Sequence, residues 1–159
     1  MKQQFAQKLY ELMSEHDKII VLTADLGFGL FDKIRKDFPS RFYNVGSSEQ
    51  LMIGIGIGLY YKGFIPVCYS ITPFLLYRPF EMIRNYVNYE KVPLKLVGCG
   101  RNKDYSHDGF THWADDDEEI IKTLKNIDIC KPVGDELSYN YLKKNILSEF
   151  PVYLNISRS

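Results

Sequence analysis

Asn44-Val45-Gly46-Ser47-Ser48-Glu49-Gln50, running into Leu51-Met52-Ile53-Gly54-Ile55-Gly56-Ile57-Gly58-Leu59, is the stretch from which the rest of the chain can be read. A strand-like run, Arg41 to Val45, stops at Gly46. Ser47 and Ser48 then stand where a hydroxyl can cap the first turn of a helix. One carboxylate, Glu49, opens a segment with no further charge until Lys62. Two readings are open on local grounds. An acid in a first helical turn is favoured by the helix dipole. Alternatively, the carboxyl points into apolar surroundings, where a low dielectric favours its uncharged form.

Outward from this stretch, runs of β-formers alternate with segments of helical spacing. Strands are expected at Ile19 to Ala24, Phe42 to Val45, Phe64 to Tyr69, Leu94 to Cys99, Ile127 to Cys130 and Val152 to Ile156. Helices are expected at Phe5 to His16, Phe31 to Phe38, Ser48 to Tyr61, from Pro73 to about Tyr89, and at Gly134 to Leu147. That alternation implies an α/β fold in three layers, a mostly parallel six-stranded sheet flanked by helices, as one domain over residues 1–159. Arg101 to Ala114 is the longest irregular piece, and long loops in compact domains are usually functional. The acidic run Asp115 to Glu119 reads as the first turn of a helix in preference to a cation site.

Composition narrows the function. Lysine and arginine total 20 and are balanced by 20 aspartates and glutamates, so the field that nucleic-acid binding needs is absent. No apolar run approaches the roughly 20 residues that span a bilayer, and Met1 to Glu15 does not read as a signal peptide. The three cysteines, Cys68, Cys99 and Cys130, each lie within an apolar run. That pattern suits reduced, buried thiols in a cytoplasmic protein. Gly54, Gly56 and Gly58 do not make a dinucleotide loop. Their spacing is G-x-G-x-G, and they fall inside the helix instead of the turn before it. A steric role is expected for them, admitting a close neighbour.

The string Arg41 to Gln50, with Gly54, Gly58 and Gly63 after it, resembles the pyrimidine-binding domain of transketolases and deoxyxylulose-phosphate synthases. The resemblance extends from about Ile19 to Arg158 and has further motifs. Ser70 to Arg84 is similar to the family segment whose aromatics stack on the pyrimidine of thiamine diphosphate, with Phe74 at the stacking position and Tyr77 one turn later. Asp108-Gly109-Phe110-Thr111-His112 is similar to the family's Asp-Gly-x-Thr-His, which faces sugar hydroxyls and assists proton transfer. Asp25 matches a position near the cofactor's reactive end, and Arg158, in Ile156-Ser157-Arg158, matches an arginine that holds substrate phosphate. Taken without the resemblance, Phe74 and Tyr77 read equally as core residues and His112 as a solvated side chain. Arg78, Glu81 and Arg84 read as an ion-paired interface, and Tyr60, Tyr61, Tyr77, Tyr86 and Tyr89 as either interface or core.

The resemblance implies a catalytic Glu49 that bonds the aminopyrimidine and a catalytic His112. Glu49, Phe74, Tyr77 and Asp25 are then cofactor contacts, and Asp108, His112 and Arg158 contact a sugar or sugar phosphate. It also implies what must come from elsewhere. The family's metal motif for the diphosphate has no counterpart here, so Mg2+ and the diphosphate are expected on a partner, a transketolase N-terminal-type subunit, in a hetero-oligomer built on a dimer. Two departures, Gly29 where transketolases carry a phosphate-binding serine and Gly100 where they carry a histidine, tell against an ordinary pentose-phosphate substrate. The expected function is a split transketolase moving a two-carbon ketol unit. A non-catalytic binding module and a 2-oxo acid decarboxylase are the alternatives.

Overall fold

Six runs of β-formers become strands in the computed structural model, which describes residues 1–158; four are buried on both faces, as parallel strands usually are, and the two at the sheet edges are partly exposed. They are β1 (Ile19–Thr23), β2 (Phe42–Asn44), β3 (Ile65–Ile71), β4 (Lys95–Cys99), β5 (Asp128–Cys130) and β6 (Val152–Ile156). Their order is β2-β1-β3-β4-β6-β5, and every neighbouring pair is parallel, so the sheet is parallel throughout. Helices α1 (Lys2–Glu15), α2 (Asp32–Asp37), α3 (Glu49–Tyr61), α4 (Thr72–Tyr77), α5 (Phe80–Met82), α6 (Asp117–Lys122) and α7 (Tyr139–Ile146) complete the fold.

The period-two alternation of side chains along each strand divides the core between two faces. Ile19, Val21, Val67 and Leu154 pack with Phe5, Leu9 and Leu12 of α1, Ile34 of α2 and Leu142 of α7. Ile20, Leu22, Cys68 and Leu96 pack with Met52 and Ile53 of α3, Leu75 and Leu76 of α4 and Ile121 of α6. From β1 the chain goes outward to β2 and then returns past β1 to β3. Such a reversal opens a crevice at the carboxyl ends of the strands, where ligands of open parallel sheets bind.

Several expectations are corrected in detail. The single helix expected from Pro73 to about Tyr89 is interrupted. α4 stops at Tyr77, and a π-helical turn, Ile83–Tyr89, follows α5. Pro79 has no amide proton to continue the ladder. The helix expected at Gly134 to Leu147 begins as a 3-10 turn, Gly134–Glu136, and restarts at Ser138, whose hydroxyl accepts the Tyr141 amide at 3.1 Å. The acidic run does open a helix, but Asp117 is buried within it. Tyr60, Tyr61, Tyr77, Tyr86 and Tyr89 are exposed to differing degrees and are not core residues.

Of the three helix glycines, Gly56 faces the sheet, where a Cβ would stand 3.0 Å from the Cys68 sulfur. Gly54 faces the Met82 methyl, and Gly58 faces open space, so they do not share one packing role. Cys68 and Cys99 are buried, and burial pushes the Cys68 thiol up to about 12. Among the described residues no helix is long and apolar enough to cross a membrane.

At the amino edge of the sheet, Lys95 of β4 is buried and donates to the carbonyls of Ser148 and Phe150, both at 2.7 Å. These bonds tie down the turn before β6. Burial lowers the ammonium to about 7, against which the Asp128 charge acts weakly. The unfolded lysine titrates near 10.4. Between these values the unfolded chain binds more protons than the folded one, so stability is expected to rise with pH across that window. Lys95→Met should flatten the rise, which denaturant unfolding at pH 7, 8 and 9 would measure. An equal slope in both proteins would refute it.

Candidate functional site

Every candidate site residue lies at or beyond the carboxyl end of a strand or in the loops that follow. Asn44, closing β2, accepts the amides of Asp25 (2.8 Å) and Gly46 (3.0 Å) on its side-chain oxygen, joining the ends of β1 and β2. Asp25 is held in the left-handed region (φ 55°), unusual for a residue with a side chain. The Ser47 hydroxyl turns to the Asp25 carboxylate at 3.5 Å. Ser48 occupies the N-cap of α3 without a side-chain bond. The serine cap expected from the sequence does not form.

Glu49 is the first residue of α3, and the turn carries it inward until only 1% of it is exposed. Its two carboxyl oxygens have different partners. The Ser70 hydroxyl, buried at the end of β3, donates to Oε1 at 3.1 Å. The Arg78 guanidinium donates to Oε2 at 2.7 Å. The surroundings are therefore not the purely apolar ones expected. Arg78, expected to face an interface, is paired within the chain.

Phe74 and Arg78 are four residues apart, one helical turn, and so lie on one side of the chain. The Arg78 guanidinium carbon stands 3.9 Å from the centre of the Phe74 ring. His112 approaches the same ring edge-on, with centroids 4.8 Å apart. Glu49, Phe74 and His112 are thus brought together, with Arg78 among them. Tyr77 is turned elsewhere. Its hydroxyl donates to Asp116, and burial together with that carboxylate raises the phenol well above its usual range.

A second group forms in the loop after β4, which two 3-10 turns organise (Ser106–Asp108 and Phe110–His112) and an Asn102–Ala114 bridge closes. Asp108 pairs with His107 at 3.1 Å. Arg158 is held rather than frayed. Its amide donates to the Asp104 carboxylate at 2.9 Å, its guanidinium donates to the Asp104 carbonyl at 3.3 Å and lies near His107, and its charge sits 4.8 Å from the Tyr105 ring centre. Tyr105 lies 6.3 Å from His112 and links the two groups. Gly100 has φ 96°, and a Cβ there would stand 2.5 Å from the Tyr105 ring. Tyr105 fills the space that a side chain at position 100 would need.

Beneath both groups runs a buried polar array that sequence reasoning missed. Thr72 donates to the Gly100 carbonyl at 2.7 Å and accepts from Asn155 at 3.0 Å. Tyr153 donates to Asp117 at 2.7 Å, and Asn155 and Lys131 each reach Asp117 at 3.3 Å. This array fixes α4 and α6 against β4 and β6. The one signal for it was the pair of polar residues, Thr72 and Asn155, bordering or within buried apolar runs.

The family model described as transketolase, pyrimidine binding domain, matches residues 1–159. A protein of Methanocaldococcus jannaschii, provisionally named a transketolase C-terminal section, is 31% identical over 159 residues, 99% of this chain and 50% of that one. A 6-deoxy-6-sulfo-D-fructose transketolase subunit, SqwH, of Clostridium sp. strain MSTE9 is 26% identical over 99% of this chain and 49% of its own length. Among solved structures, a split gene transketolase described as an inactive beta4 tetramer is similar with a TM-score of 0.86 at 32% identity, over 99% of this chain and 50% of that one. The chain spans about half the length of these curated relatives and 21–24% of the deoxyxylulose-phosphate synthases it also matches.

Proposed function

This chain belongs to the transketolase pyrimidine-binding domain family, and from that premise we propose that it is one pyrimidine-binding domain supplying half of a thiamine diphosphate site in a split transketolase-like enzyme of the cytoplasm. The observation that carries the reading is the buried Glu49 carboxyl at the carboxyl edge of the sheet, joined to the Phe74 ring through the one guanidinium, Arg78, that touches both. The donor set fits the pyrimidine half of that cofactor. A carboxyl group next to an aromatic face suits a flat nitrogen heterocycle, and a flat nitrogen-donor group, the Arg78 guanidinium, already satisfies both contacts.

When bound, the cofactor supplies a thiazolium carbon able to attack a ketose carbonyl. The chain's own residues orient it and move protons around it. Glu49 would bond a pyrimidine ring nitrogen, Phe74 would offer a stacking face, and Asp25 would be a further cofactor contact. Tyr77, three residues after Phe74 and turned to Asp116, would add a cofactor contact only by leaving that bond. His112, oriented by Thr111 at 3.0 Å, exchanges a proton with a substrate hydroxyl that Asp108 also faces. Arg158 holds a sugar phosphate with its planar fork.

Among the described residues no group of three or more His, Cys, Asp or Glu is placed to hold a metal ion. We assign Mg2+ and the diphosphate to a transketolase N-terminal-type partner subunit, in a hetero-oligomer built on a dimer. Exposed apolar residues on and near α3, Leu51 and Tyr61 among them, support such a contact. The protein reconstituted with such a subunit, thiamine diphosphate and Mg2+ is expected to transfer a two-carbon ketol unit from a ketose to an aldehyde acceptor. Turnover of 2-oxo acids alone, with release of carbon dioxide, would overturn the transferase reading. No reaction with any ketose or 2-oxo acid would leave a binding module.

A further inference from the structure

Arg78 is the residue that the proposed chemistry leaves unused, and it sits where that chemistry is centred. Its Nη1 is 2.7 Å from Glu49 Oε2 and its guanidinium carbon is 3.9 Å from the Phe74 ring centre. A guanidinium is flat, delocalised and edged with N–H donors. It therefore meets a carboxyl group through its edge and an aromatic ring through its face, as a nitrogen heterocycle would. The Arg78 side chain is 47% exposed while that of Glu49 is 1% exposed, so the arginine reaches in from the rim and has solvent to return to. Arg78 follows the last residue of α4, and Pro79 after it cannot continue the ladder, so the arginine stands outside the bonds that Thr72 and Tyr77 make for that helix.

We infer that Arg78 is a resident stand-in for the pyrimidine. In the ligand-free chain it occupies the Glu49 and Phe74 contacts, and ring binding is a displacement in which the guanidinium swings to the rim. This rests on the reading of Glu49 and Phe74 as the pyrimidine recess. Displacement lowers the apparent affinity for the ring by the fraction of time the arginine is seated. It also keeps the buried carboxylate paired until a ligand arrives, since an unpaired buried charge is costly.

The test titrates the full chain with thiamine, which carries the pyrimidine without the diphosphate, and reads the dissociation constant by calorimetry. NMR of the Arg78 guanidinium is followed in parallel, and thermal melting verifies that each variant is folded. Arg78→Met, which keeps the stem and removes the flat cation, is expected to bind thiamine three- to tenfold more tightly than the natural chain. Arg78→Lys, which keeps the charge and loses the flat fork, should fall between them, and the natural Arg78 signals should shift on titration. Unchanged or weaker binding by Arg78→Met, with binding still lost in Phe74→Ala and Glu49→Gln, overturns the stand-in while keeping the recess. Binding that ignores Phe74→Ala and Glu49→Gln, or no binding by any variant, overturns the recess and the stand-in with it.

Discussion

Glu49→Gln in the reconstituted enzyme is expected to lower turnover by about 100- to 10,000-fold, the range that loss of a positioned proton-transfer group produces. The substitution keeps the shape of the side chain. Ser70 can still donate to the oxygen that remains, since its hydroxyl lies 3.1 Å from Oε1. Arg78 loses its charged partner, but its half-exposed guanidinium can turn to water, so the change in stability should stay within about 1 kcal/mol. Thermal melting and steady-state rates of the same preparations separate the two effects. A folded Glu49→Gln enzyme with ordinary turnover would remove Glu49 from the chemistry.

The second large effect is on stability. Asp117→Ala is expected to cost about 3–5 kcal/mol, the range for removing one member of a buried charged array. Tyr153, Asn155 and Lys131 all reach this carboxylate. Asn155 in turn reaches Thr72 and the Gly100 carbonyl, at 3.0 and 3.3 Å, so the loss spreads to the start of α4 and the end of β4. For a chain of this length the melting temperature should fall by roughly 2–4 °C per kcal/mol. Denaturant unfolding beside Glu119→Ala, a change outside the array expected to stay within about 0.5 kcal/mol, is the decisive comparison. Equal effects at the two positions would mean that Asp117 is only a helix-dipole acid.

That comparison also marks where the sequence stops being informative. The four inner strands are legible because a parallel strand shielded on both sides is a short apolar run that charges bracket, as Lys18 and Asp25 bracket β1, whereas the exposed edge strands β2 and β5 show only as β-formers. Burial of Glu49 is only half legible: nothing charged follows it for three helical turns, but an acid in a first turn equally suits the helix dipole. Strand order is not legible, since pairing depends on crossovers that leave no local trace. Arg78 escapes for another reason. An arginine on a short helix ordinarily points to water, and only the folded chain reveals that one turn back lies a ring and across the sheet edge a carboxylate. Asp117 escapes because an acid at a helix start already has a sufficient local explanation, as does Ser70 at the end of a strand.

The bridge between Asn102 and Ala114 gives the loop after β4 the character of a cassette. Its anchors, Arg101, Asp104 and Tyr105, gather at the front, through bonds to Asn155, Pro132 and Arg158 and the contact with Cys99. The two 3-10 turns bearing Asp108 and His112 lie behind those anchors and before the closing bridge. Residues 106–113 pair with no strand, so a segment of equal span could replace them with the sheet left in place, exchanging two of the proposed substrate contacts while Arg158 stays.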